Sequence, residues 1–411
     1  MNASKTILVV GTYDTKDDEL TYLAERIRAQ GGQVVTMDVS VLGDPKVPTD
    51  HSKHDVAEAG GSSIAAAIAS GDENHAMQIM AEGAAALSLR LYRAGEIDGV
   101  IVLGGSMGTD LALDLCAALP LGVPKYIVST VSFSHMIPPE RLAPDIQMIL
   151  WAGGLYGLNS VCKASLSQAA GAVLGAARAV EKPSRDRPLI GMTSFGKTVL
   201  RYMVALKPAL EERGFEVAVF HATGMGGRAF EGLAEEGAFA CVMDFAPQEI
   251  GNHLFGSAIT AGPDRMTHAG AQGTPQMIAP GCYDLVDFVG WQAPPARLAG
   301  RPTHAHNRLL TSAVLDADER REVADAICQK LSQAQGRVAV FLPLQGCNEW
   351  DREGADLHDA EGLSAFIEQM RMRMPANADL HEIDAHINDD AFTGAVLALF
   401  DEWVAQGIVK A

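Results

Sequence analysis

Residues 100–110 (VIVLGGSMGTD) constrain the fold of this 411-residue chain more than any other stretch. The branched apolar residues at 100–103 predict a parallel strand that is covered on both faces. Gly104, Gly105 and Gly108 then permit a tight turn or a close backbone approach, and the apolar spacing that follows predicts a helix. Because the first N–H groups of a helix are free and its dipole attracts negative charge, this joint predicts a phosphate or carboxylate site; the alternative is a purely structural turn.

Three strand ends in the first half of the chain carry hydroxyl or charged residues. Strands are predicted at 6–10, 100–103 and 125–130, and a helix is predicted from about residue 17 to residue 30. The polar residues that end or follow them are Thr12, Asp14, Thr15 and Lys16, then Ser106 and Thr109, then Ser129 and Thr130. Since parallel strands place their carboxyl ends on one edge of a sheet, we expect these residues to meet in one crevice, where open α/β sheets bind ligands. Lys16 either contacts an anion there or is solvated.

The pattern of strands and helices begins again after residue 188. Residues 182–188 (KPSRDRP) are charged, bounded by prolines and unsuited to a helix. A chain of 411 residues is long enough for two domains. We therefore predict an α/β protein with mainly parallel sheets, divided into domains at 1–183 and 188–411, with an inter-domain cleft.

The net charge and the cysteine pattern limit which molecules the protein is expected to bind and in which cellular compartment it is expected to lie. The chain has 32 basic and 51 acidic residues, a net charge of −19, which argues against binding nucleic acid or an anionic membrane surface. The cysteines form no CxxC pair, and those other than Cys282 and Cys347 lie in apolar surroundings typical of reduced core residues. Cys347 is either a reactive thiol or a small packing residue. With no signal peptide and no long apolar run in view, a cytoplasmic protein is expected.

A second glycine-rich joint follows the strand predicted at 216–220. Its residues are His221, Thr223, Gly224, Gly226 and Gly227, and a helix is predicted after it. This joint is a second candidate anion cradle. His221, at the carboxyl end of the strand, is either an acid, base or hydrogen-bond donor, or a histidine satisfied within the core.

Further polar residues of the second half complete a predicted substrate site. His304 and His306 lie two apart, so in an extended segment they share a face and converge on one ligand or metal. Zinc would require a third ligand such as His221, Asp244 or Glu249, and we predict a ligand site instead of a metal site. A small anionic substrate would lie on the 221–227 loop. The residues facing it would be Arg265, His304, His306 and Asn307, and the catalytic candidates are His221, His304, His306 and Glu249.

These motifs, taken in order, extend along nearly the full chain. In the first half they are Gly11-Thr12, Asp14-Thr15-Lys16, Gly104-Gly105-Ser106, Gly108-Thr109, Lys125, Ser129-Thr130 and Gly157-Leu158-Asn159. In the second half they are His221-Ala222-Thr223-Gly224, Gly226-Gly227, Ala261-Gly262-Pro263, Arg265, His304, His306-Asn307, His386 and Asn388-Asp389. The ordered set resembles the ATP-binding family formed by the ATP-binding region of the plant tobamovirus-resistance protein and its bacterial relatives.

The resemblance implies two Rossmann-like domains, ATP and Mg²⁺ in the N-terminal domain, and a homodimer. The residues it places around the nucleotide are Thr12, Asp14, Thr15, Lys16, Gly104, Gly105, Ser106, Gly108, Thr109, Ser129 and Thr130. It implies a ligand but no particular reaction. We predict an enzyme that uses ATP on a small anionic substrate, by ATP-dependent activation or slow ATP hydrolysis. The alternatives are a nucleotide-binding regulatory or interaction protein without turnover, and a lyase or hydrolase that does not use ATP.

The chain departs from the family pattern in several short segments. Residues 151–156 (WAGGLY) replace a Val-Asp-Ile-Ala step that relatives tend to have before Gly-Leu-Asn. Residues 131–134 (VSFS) stand where a glycine usually follows the hydroxyl pair. The ligand contacts of this chain are therefore expected to differ in part from those of its relatives.

Overall fold

A computed structural model describes residues 4–181 and 186–410, apart from the side chains of residues 197 and 198. Contacts between Cα atoms divide the chain into two units, Met1–Pro183 and Ser184–Ala411. The predicted linker at 182–188 lies partly outside the described residues. Each unit contains a parallel sheet covered by helices, so the predicted α/β class with mainly parallel sheets is confirmed.

Unit 1 is a five-stranded sheet with helices on both faces. Its strands are β1 (Thr6–Gly11), β2 (Gln33–Asp38), β3 (Gly99–Gly104), β4 (Lys125–Ser129) and β5 (Gln147–Leu150). Its helices are α1 (Tyr13–Ala29), α2 (Lys53–Ala59), α3 (Ile64–Ala69), α4 (Glu73–Arg93), α5 (Ser106–Ala118) and α6 (Ser160–Ala179).

All strand pairs of unit 1 are parallel, in the order β2-β1-β3-β4-β5. Successive side chains of a strand point to opposite faces; in β1, Ile7 and Val9 pack with α1 and α6, while Leu8 and Val10 pack with the helices from α2 to α5. Every residue of β3 is buried, which confirms the strand predicted at 100–103.

Unit 2 combines a six-stranded parallel sheet with a small antiparallel one. Its strands are β6 (Leu189–Ser194), β7 (Glu216–His221), β8 (Cys241–Asp244), β9 (Gln276–Ile278), β10 (Leu285–Val289), β11 (Thr303–Ala305), β12 (Leu310–Val314), β13 (Val338–Pro343) and β14 (Ala378–Ile383). Its helices are α7 (Arg201–Glu212), α8 (Met225–Glu235), α9 (Gln248–Leu254), α10 (His268–Ala271), α11 (Ala317–Leu331), α12 (Ala360–Arg373) and α13 (Asp390–Ala405).

The large sheet of unit 2 has the order β14-β13-β9-β8-β6-β7, and its pairs are parallel. The small sheet has the order β10-β12-β11 and is antiparallel. The antiparallel sheet was not predicted, because β11 has only three residues and its pairing depends on tertiary contacts that a local pattern does not carry.

Two helices begin earlier than predicted, and both begin at a candidate site. Helix α1 was expected to start near residue 17, but it starts at Tyr13 and contains a non-helical residue, Lys16 (φ −128°, ψ 25°). Helix α8 was expected from Ala229 and starts at Met225, directly after Gly224, whose φ of 85° is easily reached only by glycine. In both cases the polar or glycine-rich joint is itself the first helical turn.

The structure also shows where the cysteines lie and whether any described helix could cross a membrane. All six cysteines are free and buried, so Cys282 and Cys347 lie in the core with the others. Burial raises the pKa of the Cys347 thiol well above its usual range, which favours the packing role over the reactive one. Within residues 4–181 and 186–410, no helix has the length and apolar character needed to cross a membrane.

Candidate functional site

The joints that follow β1 and β3 form an open cavity in unit 1. In the strand order β2-β1-β3-β4-β5 the chain reverses direction across the sheet between β1 and β3, and ligands of such sheets bind outside that point. A cavity of about 670 Å³ lies there. The predicted residues that line it are Thr12, Asp14, Thr15, Lys16, Gly104, Gly105, Ser106 and Gly108. The structure therefore brings two of the three predicted joints together around one cavity.

The first joint presents hydroxyls, a cation and a carboxylate to this cavity. Thr12 is the N-cap residue of α1 but its side chain makes no capping bond; its Oγ1 lies 3.1 Å from Oγ1 of Thr15. Lys16 Nζ donates to Thr15 Oγ1 at 3.3 Å. Asp14 Oδ1 is buried and has no hydrogen-bond partner among the described residues, whereas its Oδ2 accepts from the Gly43 N–H at 3.3 Å. An unpaired buried carboxylate oxygen in a cavity marks a place for a donor or a cation.

The second joint presents backbone N–H groups. Gly105 is the N-cap residue of α5 and has no side chain to cap it. The first N–H groups of a helix have no intrahelical partner, and the residues of this turn, Ser106 to Gly108, all line the cavity. A helix start with this exposure favours an anionic ligand.

The third joint lies beneath the glycine turn instead of lining the cavity. Thr109 and Ser129 are buried, and their hydroxyl oxygens are 2.6 Å apart. Thr109 Oγ1 also donates to the Gly105 carbonyl at 2.7 Å, and Thr130 Oγ1 lies 3.8 Å from the place a Cβ of Gly105 would occupy. In this conformation these residues support the turn, and their predicted direct contact with a nucleotide stays a prediction.

The remaining lining of the cavity is largely aliphatic and was not predicted. Its aliphatic residues are Val41, Leu42, Ala67, Ile68, Ala76 and Met77, and Asp72 and Glu73 line the cavity beside them. Leu42 and Ile68 are 78% and 50% exposed, and their meeting in one cavity makes an exposed apolar patch. The alanine-rich sequence of α3 and α4 gave no sign of this role, because their outward-facing apolar residues are ordinary in isolation.

The loop that carries Leu42 is fixed by two buried charged residues. Lys53 Nζ donates to the Gly43 carbonyl at 2.8 Å and pairs with Asp44 at 2.8 Å. Asp38, at the end of β2, accepts from the Tyr13 N–H at 3.2 Å and from the Ser40 N–H at 2.9 Å. Burial raises the pKa of Asp38 above its ordinary value. Asp38 thus ties this loop to the first turn of α1, a function that no local sequence pattern indicates.

In unit 2 the second glycine-rich joint is closed by a side chain of the protein itself. Glu249 Oε1 accepts from the N–H groups of Gly224 at 2.5 Å and of Gly227 at 3.3 Å. A Cβ on Gly227 would lie 2.0 Å from Oε2 of Glu249. The carboxylate therefore occupies the start of α8 in the manner predicted for an external anion.

Arg265 completes a fully buried ionic network around Glu249. Its Nε donates to Glu249 at 2.7 Å, and its two terminal nitrogens donate to Asp244 at 2.5 and 2.7 Å. Glu231 lies 3.3 Å away. Burial raises the pKa of Glu249 to about 7, against the lowering effect of Arg265. A substrate would reach Glu249 or Arg265 only if this network opened, and their predicted catalytic and binding roles stay predictions.

The predicted histidines lie at the surface of unit 2 with different neighbours. His221 is exposed, its Nδ1 is 3.2 Å from Thr223 Oγ1, and burial followed by the charge of His306 lowers its pKa. His304 stacks on Trp350 with ring centroids 3.9 Å apart. Asn307 Oδ1 accepts from the backbone of the turn after it. Across the described part of the chain, no three His, Cys, Asp or Glu side chains are placed to hold a metal ion.

Fold and cavity together define an α/β protein of two units with a candidate ligand site at the carboxyl edge of the first sheet. The chain belongs to the uncharacterised protein family UPF0261: the N-terminal domain of that family matches residues 5–182, and its C-terminal domain matches residues 187–404.

Relatives of the chain extend from bacteria to a plant. A UPF0261 protein of Brucella melitensis biotype 1 is 55% identical over 99% of this chain and 97% of its own length. A UPF0261 protein of Clostridium tetani is 35% identical over 96% and 97%. The ToMV susceptible protein tm-1(GCR26) of Solanum lycopersicum is 27% identical over 97% of this chain but 56% of its own length. The resemblance is thus confirmed at the level of the family, and ATP binding stays a prediction.

Proposed function

We propose that unit 1 binds ATP together with Mg²⁺ in the cavity between the first two joints. The observation that carries this proposal is that phosphate-binding groups and aliphatic residues line the same cavity. Hydroxyls, Lys16 and the first turn of α5 line it together with the aliphatic residues around Ile68. A nucleotide likewise combines charged phosphates at one end with a flat, weakly polar base at the other.

The phosphates would lie over the first turn of α5. Ser106 and Gly108 present backbone N–H groups there, and Lys16 supplies a positive charge from the facing joint. Hydrogen bonds from charged donors to phosphate are short and strong. The volume of about 670 Å³ lies within the range of small-molecule sites.

Mg²⁺ would be held by Asp14 and by the phosphates. Magnesium prefers oxygen ligands and usually combines one or two carboxylates with phosphate oxygens and water. The partnerless, buried Oδ1 of Asp14 fits this requirement. When bound, the ion would neutralise charge on the phosphates; Lys16 and the α5 N–H groups would orient them.

We further propose that the bound ATP is used on a small anionic substrate at the surface of unit 2 that carries His221. His221 is exposed at the end of β7, and partial burial of its ring and the charge of His306 lower its pKa, which favours the neutral imidazole that a general base requires. Release of ADP or AMP by the wild-type chain, lost in His221→Ala while ATP binding is kept, would support turnover. Binding without release in any condition would favour a regulatory protein. The homodimer is part of the same proposal, and light scattering would test it.

Calorimetric titration with ATP, with and without Mg²⁺, tests the nucleotide site. Because Lys16 lines the cavity, Lys16→Ala should weaken ATP binding about tenfold or more. Lys46→Ala is the matched control, since Lys46 pairs with Asp18 on the exposed surface and does not line the cavity. Asp14→Asn should reduce the effect of Mg²⁺ more than it reduces binding without the metal. Absence of ATP binding by the wild-type chain would overturn the proposal.

A further inference from the structure

Tyr156 is an aromatic residue left in solvent at the edge of the unit 1 cavity. Its side chain is 97% exposed, yet it lines the cavity together with the two joints. Burying an aromatic ring of this size is among the larger favourable contributions a side chain can make. A ring that is left uncovered beside a ligand cavity is therefore available to a ligand.

The segment that carries Tyr156 is anchored to the core of unit 1. Glu19 of α1 is 1% exposed, and its Oε1 accepts from the Gly157 N–H at 2.7 Å. Gly157 has a φ of 85°, in the left-handed region that glycine adopts without strain. A Cβ on Gly154 would lie 2.9 Å from Cδ2 of Tyr156, so one edge of the exposed ring lies beside Gly154. The backbone that carries the ring is thus anchored, while the ring itself is open to solvent.

The segment of Tyr156 and the aliphatic lining residues belong to opposite faces of the sheet. The loop of Tyr156 leads into α6, which packs with α1 on one face of the sheet. Ile68 and Met77 come from α3 and α4, which pack on the other face. Because the cavity lies at the sheet edge, elements from both faces contribute to its lining, Tyr156 from one face and the aliphatic residues from the other. A flat apolar group between them would cover both.

We propose that Tyr156 stacks on the planar base of the nucleotide and makes the site selective for ligands with an aromatic ring over bare polyphosphates. This inference rests on the proposed nucleotide site and adds the residue that recognises the base.

Calorimetry with two probes, ATP and inorganic tripolyphosphate, tests this role. Stacking of a base on an aromatic side chain predicts that Tyr156→Ala weakens ATP binding about tenfold. Tripolyphosphate binding should be unchanged in Tyr156→Ala, because the probe has no ring. Tyr156→Phe, which keeps the ring and removes the hydroxyl, should bind ATP like the wild type. Val161→Ala is the control, an exposed apolar residue of α6 that does not line the cavity.

Each outcome has a separate meaning. Unchanged ATP affinity in Tyr156→Ala would overturn the stacking role and leave the nucleotide site intact. An equal loss for ATP and tripolyphosphate would also overturn it, because the residue would then act on the phosphates. Wild-type protein that binds neither probe would overturn the nucleotide site and the stacking role together. Thermal melting of each variant shows that the fold is kept.

Discussion

The two glycine-rich joints of this chain have similar sequences and opposite structures. In unit 1 the turn from Gly104 to Gly108 opens onto a cavity. In unit 2 the turn from Gly224 to Gly227 is filled by the carboxylate of Glu249, which accepts hydrogen bonds from both of these glycines. A strand, a glycine turn and a helix start therefore create a place for an anion, but they do not decide whether that anion is a ligand or a side chain.

The two glycine-rich joints differ because of residues that lie elsewhere in the sequence. Glu249 belongs to α9 and is held in position by Arg265, which is itself bonded to Asp244 at the end of β8. In unit 1, no described carboxylate accepts hydrogen bonds from the turn of residues 104–108 as Glu249 does in unit 2. Asp14 lies in the neighbouring joint after β1, and its Oδ1 has no hydrogen-bond partner among the described residues. The predictions below test whether one joint is structural and the other is a binding site.

The largest expected effect is on the folding of unit 2. Arg265→Met removes the guanidinium that pairs with all three members of a buried group of carboxylates, Glu231, Asp244 and Glu249. Leaving buried charges without a partner should lower the free energy of unfolding by about 3–5 kcal/mol. Urea unfolding followed by circular dichroism measures this loss. Arg321→Met is the control, because its exposed pair with Asp318 should contribute about 1 kcal/mol at most. Equal stability of the two variants would contradict a structural role for the network.

Glycine substitutions in the two joints should change stability in opposite directions. Gly227→Ala places a methyl group 2.0 Å from Glu249, which Arg265 holds in place, so a loss of about 2 kcal/mol is expected. Gly108→Ala meets only Leu103 O at 3.5 Å, an ordinary contact, and should gain up to about 1 kcal/mol from helix propensity. Thermal melting compares the two. A gain in Gly227→Ala would show that the second joint is open in solution.

The closed joint should also respond to pH. Burial raises the pKa of Glu249 from the ordinary 4.5 to about 7, so between these values the folded chain holds a proton that the unfolded chain releases. Stability from this group is present at low pH and is lost as pH rises towards 7. Glu249→Gln cannot titrate, so relative to wild type it should gain up to about 1.4 kcal/mol per pH unit across that window. Urea unfolding at a series of pH values measures the difference, and a constant difference would contradict the shifted pKa.

Much of the fold was predictable because it depends on local patterns. The apolar runs at 100–103 and at 6–10 carry the pattern of a buried strand within the segment itself. The starts of α1 and α8 were predicted four residues late. The glycines at 226–227 are weak helix formers, and the first turn of α1 contains a non-helical residue, Lys16, so local propensity indicated neither start.

The candidate site was predictable only on its polar side. Thr12, Lys16 and Ser106 were identifiable because polar residues at the ends of parallel strands converge. The aliphatic lining around Ile68 and the closure by Glu249 were not, because both depend on which distant elements pack together. Sequence identified where an anion could lie, and tertiary structure decided which of the two places is available to a ligand.

The smallest change, one methyl group at Gly105, separates ligand binding from folding most cleanly. A Cβ there would have Thr130 Oγ1 as its nearest neighbour, at 3.8 Å, so it extends into the space beside the cavity. Loss of a good N-cap residue and reduced freedom of the unfolded chain act in opposite directions, and the net change in stability should stay within about 1 kcal/mol.

ATP affinity in Gly105→Ala should nevertheless fall about tenfold, because the methyl group takes space that a phosphate needs beside the first turn of α5. Gly104→Ala is the matched counterpart: its methyl would lie 2.6 Å from Cα of Gly108, so it should destabilise the fold itself. If Gly105→Ala remains folded and binds ATP as tightly as the wild type, the glycine turn of unit 1 does not bind the phosphates. Both glycine turns would then have a structural role only.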